Sequence, residues 1–334
     1  MGLAVLQDVR IMIDLTHTEI GIAARIVHQA SLLSKRIQNE MVVTTLTKED
    51  HSPVTVADFA VQAFLGYSLS KAFPEDPMVA EENSKFLSDK EGKSILKLVT
   101  QSLGPIVPGV TGDDVCNWID HGGQSPSERF WTLDPIDGTK GFLRGGQYAI
   151  ALALLVNGKV QIGILGCPNL DGGVLVVAAR KQGCWKATLS DPQTFHQLQV
   201  SECSDPHQAQ IACSFESSHT NVTQLDGLTA TLGVKTEPVK MDSQAKYVLL
   251  AEGNGDLLFR LVSPQTPEYT ENIWDHAAGS LVLEEAGGQI TDLTGKTLDF
   301  SAGKRLVHNH GVLASNGHLH TIALAALTRN STPI

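Results

Sequence analysis

The spacing of apolar residues predicts that the chain opens with helices. Between Ile20 and Ile37, apolar side chains recur every three or four positions, which is the period of one helix face. Thr16 and Glu19 have the spacing of a capping box, so this helix is expected to begin beside them. A second such pair, Thr55 and Asp58, predicts a second helix with Asp58 as an acid of its first turn.

The pattern then changes to short apolar runs separated by tight turns. Residues 130–133 form one such run, and the runs at 148–156 and 159–165 flank Asn157-Gly158. An Asn-Gly pair between two apolar runs is the strongest short-range signal for a β-hairpin. Consecutive strands joined by short turns predict an antiparallel sheet with helices packed on it, hence an α+β fold.

Strands and helices alternate again beyond the turn-forming stretch Ser190–Gln193. The apolar runs near 210–214, 257–261, 289–291 and 312–314 alternate with helical patterns, so an α/β arrangement is expected there. We therefore expect two halves, an α+β half over residues 1–192 and an α/β half over residues 193–334.

Composition and charge narrow the class of protein. The chain has 334 residues, of which 42% are hydrophobic, and its net charge of −11 argues against a nucleic-acid or anionic-membrane partner held by bulk charge. Its five cysteines are scattered, without the spacing of a zinc site. The N-terminus lacks the pattern of a secretory signal and the apolar runs are too short to cross a membrane, so a cytoplasmic protein with reduced thiols is expected.

An acidic motif, Asp134-Pro135-Ile136-Asp137-Gly138, follows the apolar run at 130–133. Pro135 fixes one backbone angle and Gly138 permits conformations that other residues resist, so the motif can point two carboxylates and the Ile136 carbonyl at one locus. Such an all-oxygen ligand set suits Mg²⁺ better than zinc or copper. Taken alone, a run of this kind is more often a surface turn.

Other acidic segments favour the metal site over the turn. Asp50 lies in the segment 50–58, while Glu81 and Asp275 each follow apolar residues that are expected to be buried. A carboxylate in such surroundings needs a partner. Each acid alone is more often structural, but four acidic segments together indicate a metal centre.

In this order, the segments 50–58, 80–82, 134–142 and 274–279 resemble the inositol monophosphatase superfamily of lithium-sensitive, Mg²⁺-dependent sugar-phosphate phosphatases. The resemblance implies a layered αβαβα fold and two to three bound Mg²⁺ ions. It implies that Asp50 and Thr139 orient the attacking water. The metal ligands that it implies are Asp50, Glu81, Asp134, the Ile136 carbonyl, Asp137 and Asp275.

Three further motifs, at 140–145, 167–170 and 241–247, resemble the bisphosphate nucleotidase branch of that superfamily. This implies a small-molecule substrate, 3′-phosphoadenosine 5′-phosphate, which would lose its 3′-phosphate to give AMP, with the sulfated analogue as a second candidate. The resemblance implies that His219, Ser243, Lys246 and Arg260 contact the substrate. Glu271 is expected to line the base or ribose region, and the backbone N–H groups of Gly138 and Thr139, at the start of a helix, are expected to bind phosphate.

Alternative interpretations stay open at this stage. Without the resemblance, Lys246 would be taken as an exposed surface lysine and His219 as an ordinary loop histidine. The enzyme could instead act on inositol polyphosphates, or the chain could be an inactive protein that senses nucleotide or lithium. That last function is disfavoured because the sequence retains every predicted metal carboxylate and Thr139. The sequence leaves the oligomeric state open.

Overall fold

Helices and two β-sheets alternate in five layers in the computed structural model, which describes residues 15, 18–44, 53–90, 92–215, 222–263, 266 and 268–330. The helices of these ranges are α1 (Glu19–Thr44), α2 (Pro53–Ala72), α3 (Gly92–Leu103), α4 (Gly112–Asp120), α5 (Thr139–Leu143), α6 (Val222–Leu232), α7 (Ala245–Ala251), α8 (Ala277–Glu285) and α9 (His320–Asn330). The strands are β1 (Met78–Ala80), β2 (Arg129–Asp137), β3 (Ala149–Val156), β4 (Lys159–Cys167), β5 (Val174–Ala179), β6 (Gly183–Thr188), β7 (Asp191–Gln197), β8 (Ile211–Cys213), β9 (Val239–Lys240), β10 (Leu257–Arg260), β11 (Gln289–Thr291) and β12 (Val312–Ser315).

The first sheet contains strands β1 to β7 in chain order. β1 pairs parallel to β2, and every later pair is antiparallel. The hairpin predicted at Asn157-Gly158 is confirmed, because β3 and β4 meet there. Both turn residues have positive φ, 51° and 71°, as a two-residue hairpin turn of this type requires.

The second sheet has the strand order β11-β12-β10-β8-β9. β8 lies parallel to β9 and β10, whereas β12 lies antiparallel to β10 and β11. Helices α6 and α9 cover one face of this sheet with an apolar layer of their own. The alternation of strands and helices predicted for this part of the chain is confirmed.

Alternating side chains of the first sheet separate two hydrophobic layers. On β3, Ile150 and Leu152 face the layer that includes α1 and α2, whereas Ala151 and Ala153 face the layer that includes α7 and α8. Small residues are needed beneath α8, since a Cβ on Gly163 would lie 2.6 Å from the Ala278 carbonyl oxygen. The sequence of layers is helix, sheet, helix, sheet, helix, which confirms the predicted αβαβα fold.

Some predicted boundaries differ from the structure. Helix α2 begins at Pro53, so Asp58 lies inside the helix and not in its first turn. Strand β2 continues through the predicted acidic turn to Asp137. Residue 192 lies within β7, and the division of the chain into two halves stays a prediction. Thr16 of the first capping box lies outside the described residues.

Candidate functional site

The parallel pairing of β1 and β2 brings two acidic residues to one sheet edge. Ala80 pairs with Leu133, so Glu81 and Asp134, the next residues of each chain segment, leave the ladder side by side. β2 stays paired to β3 through a bulge between Asp134 and Asp137. A bulge re-aims side chains locally, so these acids reach the sheet edge without the free turn that the sequence predicted.

Gly138 turns the chain from β2 into α5. Its φ of 90° is left-handed, and a Cβ there would lie 2.9 Å from the Cβ of Ser243. Both facts require glycine. Thr139 then opens α5 as an exposed residue.

A cavity of about 380 Å³ lies at this edge. It brings together most of the predicted site residues, and its lining includes Glu81, Asp134, Asp137, Gly138, Thr139, Ser243, Lys246, Arg260 and Asp275. The buried Ile136 and Glu271 are not among the lining residues, and the roles predicted for both stay predictions. Asp50 and His219 lie outside the described residues.

Burial and mutual repulsion raise the pKa values of Asp134, Asp275 and Glu81 in the cavity. Asp134 is buried, and burial followed by the charges of Glu81 and Asp137 raises its pKa well above the ordinary value. Burial is also the first cause that raises the pKa of Asp275 to about 6. Glu81 is exposed by surface area, yet its carboxylate lies deep enough for desolvation, and then Glu82, to raise its pKa to about 7.

Asp58 is a site residue that the sequence analysis missed. Its side chain is buried, and burial followed by the charges of Glu82 and Glu81 raises its pKa well above the ordinary value. Asp58 in turn raises the pKa of Asp134, so it belongs to the same acidic group. The sequence does contain a signal for this role, because Asp58 is the single carboxylate in the largely apolar segment 53–65, where a solvated helix acid is not expected.

The acidic side of the cavity fits Mg²⁺ by its chemistry. One carboxylate oxygen of Asp134, Oδ1, is buried and has no hydrogen-bond partner among the described residues. Within these residues, no group of three or more His, Cys, Asp or Glu side chains is arranged to hold a metal ion by itself. Mg²⁺ ordinarily keeps several waters and takes one or two carboxylates plus substrate phosphate, so a site of this kind does not need a closed protein cage. The individual ligand roles stay predictions.

The cavity also has a cationic side, formed by Lys246 and Arg260. Lys246 is buried, which makes the interpretation as an exposed lysine wrong, and its Nζ donates to the carbonyl oxygens of Ser243 (2.8 Å) and Met241 (3.2 Å). Burial lowers its pKa to about 8. Arg260 donates from Nε and Nη2 to the two carboxylate oxygens of Glu271, at 2.9 and 3.3 Å. Glu271 therefore holds the Arg260 guanidinium in place without itself being a lining residue of the cavity.

Two aromatic residues of the cavity wall were also missed. Tyr269 is 43% exposed and lines the cavity beside Arg260. Tyr247 is buried, and its hydroxyl lies 2.7 Å from Nδ1 of His276, which neighbours Asp275. Tyr247 ends the motif 241–247 and Tyr269 follows Glu268, but only the structure shows that both line the cavity.

The acidic cavity predicts a pH-dependent response to magnesium. The pKa of Glu81 moves from 4.5 to about 7 and that of Asp275 from 3.8 to about 6, so the metal-free folded state holds protons that the unfolded state has lost. This costs stability as the pH rises through that window. Because metal binding needs the deprotonated acids, the melting temperature in MgCl₂ should exceed that in EDTA by an amount that grows from pH 5 to pH 7.

Differential scanning fluorimetry at matched ionic strength measures that difference. Burial lowers the pKa values of His121 and His320, which stabilises the fold as the pH rises toward 6.5. This contribution is the same in MgCl₂ and in EDTA, so it cancels in the difference between the two melting temperatures. A magnesium-induced shift that stayed constant from pH 5 to pH 7 would contradict the assignment of the acids.

Comparison with known families gives a match over nearly the whole chain. The model of the inositol monophosphatase family matches residues 15–332. The chain is 39% identical over 331 residues to the 3′(2′),5′-bisphosphate nucleotidase of Schizosaccharomyces pombe, covering 89% of this chain and 90% of that protein. It is 39% identical over 312 residues to the enzyme of the same name from Dictyostelium discoideum, covering 89% and 92%.

Solved structures share the fold at lower identity. Inositol monophosphatase II from Staphylococcus aureus superposes with a TM-score of 0.64 at 18% identity, covering 93% of each chain. Inositol monophosphatase from Anabaena gives a TM-score of 0.61 at 20% identity, covering 93% of this chain and 94% of that one. Among the described residues, no helix is long and apolar enough to cross a membrane.

Proposed function

Because the chain belongs to the inositol monophosphatase family, we propose that it is a Mg²⁺-dependent phosphatase that removes the 3′-phosphate of 3′-phosphoadenosine 5′-phosphate. The observation that carries the proposal is the cavity whose lining brings the acids Glu81, Asp134, Asp137 and Asp275 together with the cations Lys246 and Arg260. A bisphosphate needs both sides, one for the reacting phosphate and one for the other.

The relatives support this choice of substrate. Those from S. pombe, D. discoideum and Emericella nidulans, at 37–39% identity, are all named 3′(2′),5′-bisphosphate nucleotidase. The cationic side of the cavity supports it independently, because a monophosphate substrate gives Arg260 no anion to bind.

We propose that two to three Mg²⁺ ions are held by Asp50, Glu81, Asp134, the Ile136 carbonyl, Asp137 and Asp275, with the buried Asp58 coupled electrostatically to Glu81 and Glu82. When bound, such ions supply a positive field for the oxygens of an in-line displacement. Asp134 Oδ1 has no hydrogen-bond partner in the part of the chain that the structure describes, which supports a role as ligand.

The chain's own groups then bind and orient the reactants. Thr139, exposed at the start of α5, and Asp50 orient the attacking water, as the family resemblance implies. Ser243, Lys246 and Arg260 bind the phosphate that is not cleaved, while Gly138 keeps the approach free of side-chain atoms. His219 stays a proposed ribose or base contact.

A phosphate-release panel tests the function. We expect the bisphosphate nucleotide, and to a lesser degree its sulfated analogue, to be hydrolysed faster than inositol 1,4-bisphosphate. Release should require Mg²⁺ and fall at millimolar-scale lithium. Asp137→Asn is the control for contaminating phosphatase.

Other outcomes of the panel point elsewhere. Faster turnover of inositol 1,4-bisphosphate would replace the proposal by inositol polyphosphate 1-phosphatase activity. Tight nucleotide binding without phosphate release would indicate an inactive sensor. The cytoplasmic location expected from the sequence stays a proposal.

A further inference from the structure

Gln244 connects the two chain segments that carry Asp137 and Asp275. It lies at the start of α7 and is only 2% exposed. Its backbone N–H donates to Oδ2 of Asp137 at 2.7 Å. Its side-chain Nε2 donates to the Trp274 carbonyl at 2.9 Å, and its Oε1 accepts from the Gly279 N–H at 3.0 Å.

The side-chain bonds of Gln244 hold the turn that carries Asp275. Gly279 is the third residue of α8, so its N–H has no partner within the helix. The N-cap residue, His276, makes no side-chain capping bond, and Gln244 supplies the missing acceptor from a distant element. Trp274 immediately precedes Asp275 and Gly279 follows it, so the Gln244 side-chain amide binds this turn on both sides of the Asp275 carboxylate.

The backbone around Gln244 is locked against the Asp137 loop. Ser243 has a left-handed φ of 67°, which is costly for a residue other than glycine and persists only where the surroundings enforce it. Its carbonyl accepts from Lys246 Nζ at 2.8 Å, and its Cβ lies against Gly138. This conformation aims the Gln244 N–H at Asp137.

From these contacts we infer that Gln244 is a positioning residue that fixes the spacing of Asp137 and Asp275 and thereby the affinity of the site for Mg²⁺. The inference rests on the proposed metal site. Gln244 does not act on the reacting atoms. Partners behind metal ligands typically change metal affinity or activity 10- to 100-fold when they are removed.

Gln244→Met tests the inference, since it keeps the length of the side chain and removes both of its hydrogen bonds. Isothermal titration of the EDTA-treated protein with MgCl₂ should show binding weakened by about 10-fold. The kcat at fixed subsaturating Mg²⁺ should fall, while KM for the bisphosphate changes by less than about twofold, because the cationic side is untouched. Gln244→Asn, one methylene shorter, should lie between the wild type and Gln244→Met.

Asn316→Ala is the matched control for lost buried hydrogen bonds. Asn316 is 1% exposed, donates to Ser201 Oγ (2.9 Å) and to the Cys203 carbonyl (2.8 Å), and does not line the cavity. It should lower the melting temperature in EDTA and leave Mg²⁺ affinity unchanged.

Two results would overturn the inference. One is wild-type Mg²⁺ affinity in folded Gln244→Met and Gln244→Asn, and the other is an equal loss of affinity in Asn316→Ala. Asp137→Asn separates this failure from that of the metal site itself. If Asp137→Asn also bound Mg²⁺ like the wild type, the proposed metal site would be wrong, and the inference would fall with it.

Discussion

Replacing Asp134 by asparagine should strongly reduce phosphate release and at the same time raise the melting temperature of the metal-free protein. Asp134 is buried among carboxylates, and its pKa is raised well above the ordinary value by burial and then by Glu81 and Asp137. A neutral amide removes that repulsion, so the metal-free fold gains stability. The same change removes a charge that the reaction needs, and we expect kcat/KM to fall by roughly 10³-fold, about 4 kcal/mol of transition-state stabilisation.

Asp292→Asn is the control, because its expected effect on stability has the opposite sign. Asp292 is also buried, but its Oδ1 accepts from the N–H groups of Thr294 (2.8 Å) and Lys296 (3.0 Å), and such bonds lower its pKa although burial opposes them. An amide there should cost about 1–3 kcal/mol of stability. It should leave the kcat of the folded protein close to that of the wild type, since Asp292 does not line the cavity.

Melting in EDTA and kinetics in MgCl₂ measure both variants. A metal-free Asp134→Asn protein that is less stable than the wild type would contradict the picture of an acidic site under electrostatic strain. Phosphate release at the wild-type rate in Asp134→Asn would contradict the proposed role of this carboxylate in the reaction. The two variants together distinguish a functional carboxylate from a structural one, because burial alone gives the same expectation for both.

Elements with strong local signals could be predicted from the sequence. The apolar period of residues 20–37 predicted α1, and Asn157-Gly158 predicted the hairpin of β3 and β4. The acidic motif was placed correctly at a strand end but predicted as a turn. In the structure, pairing of β2 with β3 carries the strand through it as a bulge, because ladder hydrogen bonds outweigh the turn preference of the individual residues.

The features that escaped prediction depend on contacts between distant segments. The burial of Lys246 follows from its packing beneath the turn at Met241 and Ser243, which no local pattern reveals. The role of Asp58 depends on Glu81 and Glu82, which come from another element. Glu271 was predicted to line the base or ribose region, and its bond to Arg260 Nε is a contact that its position four residues before Asp275 did not reveal.

Arg260→Gln should reduce kcat/KM for 3′-phosphoadenosine 5′-phosphate by about 100-fold, since a charge-assisted hydrogen bond to phosphate in a desolvated site is typically worth 2–5 kcal/mol. For adenosine 3′-monophosphate, which loses the same phosphate but lacks the second one, the change should stay below about threefold. Glu271 holds the guanidinium at 2.9 and 3.3 Å, so its fork is already oriented in the cavity wall. Arg260→Lys should recover only part of the loss, because an ammonium cannot form the fork.

Arg180→Gln is the matched control for removing a paired arginine. Arg180 donates to Glu284 at 2.6 Å and to the Val160 carbonyl at 3.0 and 3.1 Å, but it does not line the cavity. It should leave the ratio of the two substrates unchanged. Arg260→Gln also leaves the buried Glu271 without its cationic partner, and the unpaired carboxylate would repel the phosphate. The double variant Arg260→Gln/Glu271→Gln removes this charge and so separates the loss of phosphate binding from the repulsion. If the selectivity for the bisphosphate survived in both Arg260 variants, the second phosphate would have to bind elsewhere, and the cationic side of the cavity would lose its proposed role.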